Sequence, residues 1–215
     1  MHSIKEGVIG GVIGGVSAGI IEGLQTKDFD AALKSAAITA SDGFKWGTIA
    51  GTITGAGEGL AQLKALKGAT LNGLTLNQAS QIQMESKYPV EVIKNMHSMK
   101  EYEVFKQANL KAIKVNNKWA LVRDIDWDFV DLDGFTNKQR VLEKGLSPVD
   151  SNGNSYQIHH VGQKDDSPLA ILSYDEHKAY YKDLHLNTGD GTGGVDHGSD
   201  WSKTVRDFWK SVVPQ

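Results

Sequence analysis

Asp150-Ser151-Asn152-Gly153-Asn154, followed by Ser155-Tyr156-Gln157-Ile158-His159-His160-Val161, is the stretch on which the reading of this chain turns. The first five residues are dense in turn formers, and Ser155–Val161 has the length and composition of a short strand. Successive strand side chains point to opposite faces, so His159 and His160 cannot do the same job. One is suited to bind a metal ion while the other addresses a water molecule, since imidazole ligates transition metals and exchanges a proton near neutral pH. Five of the seven histidines fall between 159 and 197, a concentration that suggests metal-assisted acid–base chemistry.

The next histidines lie downstream. Ser173 with Glu176 forms a capping box that starts a helix near Tyr174 and puts His177 in its first turn. His185 follows eight residues later, which on an ideal helix separates the two rings by roughly 80° and about 12 Å of rise. A continuous helix therefore cannot bring both to one ion. Either the helix ends near Lys182 or Asp183 and His185 folds back, or only one of the two is a ligand.

Working outward, Ser98 and Glu101 form another capping box, predicting a helix from Met99 to about Asn109. Leu110–Val115 and Lys118–Ile125, separated by Asn116-Asn117, read as a β-hairpin. Asp124-Ile125-Asp126-Trp127-Asp128 has Phe129 where a calcium loop needs glycine, so it reads as a solvated strand edge. Thr136-Asn137 caps a short helix, Lys138–Lys144, which Gly145 ends. Gly189-Asp190-Gly191-Thr192-Gly193-Gly194 lacks the Lys-Ser/Thr ending of a phosphate-cradling loop and reads as a flexible connection. Asp200 opens a last helix in which Trp201, Val205, Phe208, Trp209 and Val212 form a core stripe, with Lys203, Arg206 and Lys210 off it, facing phosphates or water.

The first part of the chain differs in character. Gly7, Gly11, Gly15, Gly19 and Gly23 form an every-fourth-residue ladder, repeated by Gly43, Gly47, Gly51, Gly55 and Gly59. On helices this spacing makes flat stripes that let two backbones approach closely, as in a packed hairpin or a membrane-interacting element. Lys5 before the apolar run suggests a secretory signal, but Glu6, the glycines and the ladder's continuation argue against one. Residues 60–87 are polar and helix-like without strong periodicity, as in a linker, and Pro89 marks a boundary. The net charge of −3 offers no general attraction for a polyanion, and with no cysteine any metal must be held by His, Asp, Glu or Asn.

Thr136-Asn137, Arg140, Gly145, Pro148, Gly153, Ile158-His159-His160-Val161-Gly162-Gln163, Ser167-Pro168-Leu169-Ala170, Glu176-His177 and Leu184-His185 together resemble the LHH group of HNH/endonuclease VII-like toxin nucleases. Ile158 stands where that group has leucine. The resemblance covers residues 97–215 and is most specific over 136–185. It implies an α+β fold with a C-terminal treble-clef, ββα-metal (HNH-like) nuclease domain at 87–215, preceded by a glycine-rich helical segment and linker at 1–86.

The resemblance further implies cleavage of DNA with one divalent ion, Mg2+, Zn2+, Ni2+ or Mn2+. His160 would be the general base, and His159, His177 and His185 the metal ligands, with His185 the member that depends on where the helix ends. The asparagine of HNH has no clear counterpart, and Gln163 is the candidate to orient His160. Arg140, Lys178 and Arg206 are assigned to the substrate. The setting implied is a secreted effector of bacterial competition, delivered to the target-cell cytoplasm and neutralised at home by an immunity protein, with residues 7–60 contacting a membrane or delivery machinery. Two alternatives compete: a membrane-active effector that works through the glycine ladders, and an RNase with the same site.

Overall fold

A computed structural model describes residues 57–185, 195 and 197–214. The glycine ladders up to Gly55, the proposed membrane or delivery contact before residue 57 and the Gly189–Gly194 loop lie outside the described residues. No helix among the described residues is long and apolar enough to cross a membrane. The chain divides into two compact units, Met1–Thr70 with Leu74–Val90, and Leu71–Gly73 with Glu91–Gln215.

In the first unit, the stretch expected to be a linker forms two helices, α1 (Gly57–Gly68) and α2 (Leu76–Ser86), which pack on each other. A capping box between Thr75 and Gln78 starts α2, and Leu66, Ala79 and Ile82 are fully buried. Few apolar residues are present, but they are spaced so that their burial holds both helices.

The second unit takes in the short α3 (Val90–Ile93) from Glu91 onward and then α4 (Met99–Gln107), where Ser98 accepts a hydrogen bond from the Glu101 amide as the sequence predicts. Strands β1 (Lys111–Val115) and β2 (Lys118–Val122) form the expected antiparallel hairpin. Its turn residues Asn116 and Asn117 both have positive φ, 48° and 65°, the conformation a two-residue hairpin turn demands and asparagine tolerates. The acidic stretch that follows belongs to no strand, and Asp126 instead caps a turn by accepting from the amides of Asp128 and Phe129.

Helix α5 (Asn137–Gln139) begins at a Thr136–Gln139 capping box and continues as a π-helical turn, Arg140–Lys144, which Gly145 ends at φ 67°. Then come β3 (Gln157–His160), a tight turn at Val161–Gln163, β4 (Leu169–Leu172), α6 (Tyr174–Ala179), α7 (Tyr181–Leu184) and α8 (Trp201–Val212).

The sheet order is β1-β2-β4-β3, with β4 parallel to β2 and antiparallel to β3. Strand β4 is a short apolar run, too short for periodicity to tell from buried helix, and its pairing supplies the assignment. Together β3, β4 and α6 make a ββα unit. On one side of the sheet, Phe208 and Trp209 of α8 are buried with Val115, Ala120, Ile125, Val141 and Ile171, and Val205 and Val212 pack against them. The expected core stripe of α8 thus holds, except that Trp201 is committed elsewhere.

Asn137 ties the irregular segments to this core. It is fully buried, and its amide donates to the carbonyls of Asp126 and Val149, both at 2.8 Å, while its oxygen accepts from the Val149 amide at 2.7 Å. An Asn137→Ala substitution strands three main-chain groups and is expected to cost about 2–4 kcal/mol of stability. Urea denaturation of the full chain measures this; an unchanged midpoint would show that the brace contributes nothing.

Candidate active site

Strand β3 presents its two histidines to different surroundings, as its alternation requires. His159 lies across from Ala170 of β4, whose small side chain leaves room beside the imidazole. The main chain leaves β4 at Ser173, whose hydroxyl accepts from the Glu176 amide. The Glu176 carboxylate in turn accepts from the Ser173 amide at 2.7 Å and pairs with Arg123 at 2.5 Å. This cap fixes where α6 begins and therefore where His177 stands.

His185 reaches the same place because the helix does not continue. Tyr180 has φ −102° and ψ 21°, which breaks the path between α6 and α7, and His185 itself is extended. The break falls earlier than the Lys182–Asp183 position expected from spacing, but it has the required effect. The ring centroids of His177 and His185 are 5.0 Å apart, those of His159 and His185 5.3 Å, and those of His159 and His177 5.6 Å. One ring nitrogen from each lies within 4.8 Å of the other two. Nδ1 of His185 is 2.9 Å from the Tyr181 carbonyl and donates to it, which leaves Nε2 with the lone pair.

The electrostatics suit a cation. Burial pushes His159 down to about 3, helped by His185 and His97, and pushes His177 down to about 4, helped by His159 and His185. Both are neutral donors at physiological pH. Three imidazoles converging from a strand, a helix turn and a post-helix residue fit a divalent transition metal.

His160 faces different neighbours. Its Nδ1 lies 3.0 Å from the Lys164 carbonyl, which acts as acceptor and leaves the lone pair on Nε2. The main chain beyond Gln163, rather than the Gln163 side chain, therefore supplies this hydrogen bond. The ring sits 5.0 Å from that of Trp201 and 5.8 Å from that of His197, which stack on each other at 4.3 Å. Burial and then His197 hold the His160 pKa below its ordinary value. The residue also lines a cavity of about 270 Å³ with Asp165, Asp166, Ser167 and Thr204.

The turn after His160 is held tightly. Gly162 has φ 67°, and a Cβ there would stand 1.6 Å from the Asn95 carbonyl oxygen, so no other residue fits without moving backbone. Asn72 donates to the carbonyls of Gly162 and Asn95 at 3.0 and 2.8 Å.

Of the cations assigned to substrate, Arg140 is held by Asp131 and by the Ser147 carbonyl at 3.0 Å, so a phosphate would have to displace an ion pair to reach it. Lys178 is exposed over the Tyr174 ring, and Arg206 is exposed beside Gly145. Sequence reading passed over the contacts that Trp201 and His197 make with His160, which join distant parts of the chain. It also passed over Glu101, whose capping motif gave no sign that its side chain would turn inward.

Glu101 is fully buried, and desolvation raises its pKa to about 7 against the opposing pull of His97 and the Gly162 and His97 amides. Unfolding returns His159 and His177 toward 6.5 and Glu101 toward 4.5. The unfolded chain therefore binds two protons at the histidines between pH 4.5 and 6.5, where the native chain holds one at Glu101. From these three groups the net single proton makes metal-free stability fall by about 1.4 kcal/mol per pH unit as pH drops through this window, and His160, also lowered by burial, adds in the same direction. Thermal unfolding of the stripped protein at pH 6.5, 5.5 and 4.5 checks this, and a flat profile would contradict the buried neutral state of the histidines.

Residues 136–215 match the model of a family described as LHH, a nuclease of the HNH/ENDO VII superfamily with conserved LHH. No curated protein and no solved structure matches the chain.

Proposed function

We propose that residues 136–215, which match the LHH family model, form a nuclease domain of the HNH/endonuclease VII superfamily, and that the chain is a metal-dependent endonuclease cleaving DNA. The observation that carries the proposal is the convergence of His159, His177 and His185 beside a separately oriented His160. Nucleases of the HNH type usually use a divalent metal, and these three imidazoles are the residues that would hold it. When bound, the cation would supply positive charge for the scissile phosphate and the departing 3′ oxygen.

The protein's own residues supply the rest. His160, with Nδ1–H directed at the Lys164 carbonyl, offers Nε2 to take a proton from the attacking water. Its lowered pKa keeps that nitrogen unprotonated at neutral pH. His160 lines a cavity, but its Nε2 is buried without a hydrogen-bond partner, so the attacking water reaches that nitrogen only once the surrounding side chains open. Exposed Lys178 and Arg206 are the cations free of a burying ion pair to meet neighbouring phosphates.

The same reading makes the chain an effector of bacterial competition, acting in the cytoplasm of a rival cell and restrained at home by an immunity protein. Residues 1–86 would then serve delivery and 87–215 the killing. Support comes from the resemblance to polymorphic-toxin nucleases and from the change in composition along the chain.

The test is nicking of supercoiled plasmid by the full chain, with folded RNA as a parallel substrate. Chelator is expected to stop nicking and added Mg2+, Mn2+, Zn2+ or Ni2+ to restore it. His160→Ala is expected to lose roughly 100- to 10,000-fold in rate. Undiminished nicking by the variant or in chelator overturns the assignment, and cleavage of RNA alone reassigns the substrate.

A further inference from the structure

A fully buried carboxyl group at the site comes from outside the residues that match the family model. Glu101 lies in the first turn of α4 with no exposed surface. In a capping box its carboxylate would return to the Ser98 amide, but here the side chain turns inward. Oε1 accepts from the Gly162 amide at 2.6 Å and Oε2 from the His97 amide at 2.8 Å. The same two oxygens stand 3.6 Å from Nε2 of His159 and Nε2 of His97 respectively. Neither of those nitrogens has another hydrogen-bond partner.

We propose that Glu101 is a positioning residue of the metal centre: it accepts from Nε2–H of His159, thereby fixing the tautomer that presents Nδ1 to the ion, while its amide contact holds the turn after His160. This rests on the metal-dependent reading above. The argument is electrostatic. A lone pair on Nε2 would face a carboxylate oxygen at 3.6 Å, too close for a water to stand between them, whereas an N–H there is attracted, and a closure of a few tenths of an ångström makes the hydrogen bond. Carboxylates that orient a ligating imidazole in this way also make it a stronger donor. The second contact links the two halves of the site, because Gly162 is two residues past His160 and its carbonyl is held by Asn72. One side chain thus sets the His159 ring and the main chain that carries the Lys164 acceptor.

Glu101→Gln tests this at nearly constant volume. A carboxamide keeps one acceptor oxygen and turns an NH2 group toward an amide or imidazole N–H. Three measurements on the full chain, stripped of metal, separate the roles. Nitrogen-15 spectra of histidine-labelled wild type are expected to show His159 as the Nε2–H tautomer, and Glu101→Gln to lose that preference. Calorimetric titration with Zn2+ is expected to show about 10- to 100-fold weaker binding by Glu101→Gln. In a His159→Ala background the same substitution is expected to have no further effect on Zn2+ affinity.

A merely structural role would lower the unfolding temperature of metal-free protein and leave Zn2+ affinity and the tautomer unchanged, which would overturn the proposal. So would an Nδ1–H tautomer of His159 in the wild type. If Glu101→Gln does not fold, the wild-type tautomer alone decides. If wild type binds no Zn2+ while His159 is Nε2–H, the metal-dependent reading falls and the Glu101–His159 contact stands.

Discussion

A β-strand changes sides at every residue, and β3 applies that rule to two identical side chains. His159 is directed into a cluster with His177 and His185, whereas His160 is directed to a main-chain carbonyl and a pair of stacked rings. Nothing in the chemistry of imidazole separates the two. The separation comes from register: pairing of His159 with Ala170 and of His160 with Leu169 holds β3 against β4. A one-residue slip would exchange the two environments and dismantle both.

The remaining construction serves to bring distant residues to the ends of that strand. A capping box delivers His177 by fixing the start of α6, and the break at Tyr180 delivers His185 by ending the rise of the helix one turn later. Burial keeps His159 and His177 neutral, which removes the repulsion two charged rings would exert on each other in this cluster. Against this, the negative charge available at the site is placed with care: Glu101 is surrounded by N–H groups rather than left beside an empty cavity. Charge and its compensation are both local, although the residues involved are about sixty apart in the chain.

Much of this was legible in the sequence because the signals were local. Capping motifs at Ser98, Thr136 and Ser173 located three helix starts, and Asn116-Asn117 located the hairpin turn. The eight-residue spacing of His177 and His185 stated correctly that the helix must break if both rings were to meet. What the sequence did not disclose depends on partners far away. Leu169–Leu172 becomes a strand only through its pairing with β2 and β3, and residues 60–87 carry two helices because a few apolar side chains are buried together. Trp201 sits in a stripe whose other members face the core, yet its ring meets His160 and His197. Arg140 has the residue type of a phosphate contact but is already held by Asp131.

The parallel pairing of β2 with β4 carries one more consequence. Ala120 and Leu121 lie alongside Leu169 and Ala170, and the hairpin they belong to comes before the residues that match the nuclease family model. A piece cut at Thr136 would keep both histidine clusters and lose half the sheet. It would also expose the β4 edge and the Trp209 surface covered by Val115 and Ala120, the kind of open apolar edge along which chains self-associate. The stretch that matches the family model is therefore smaller than the unit that closes this sheet and its core.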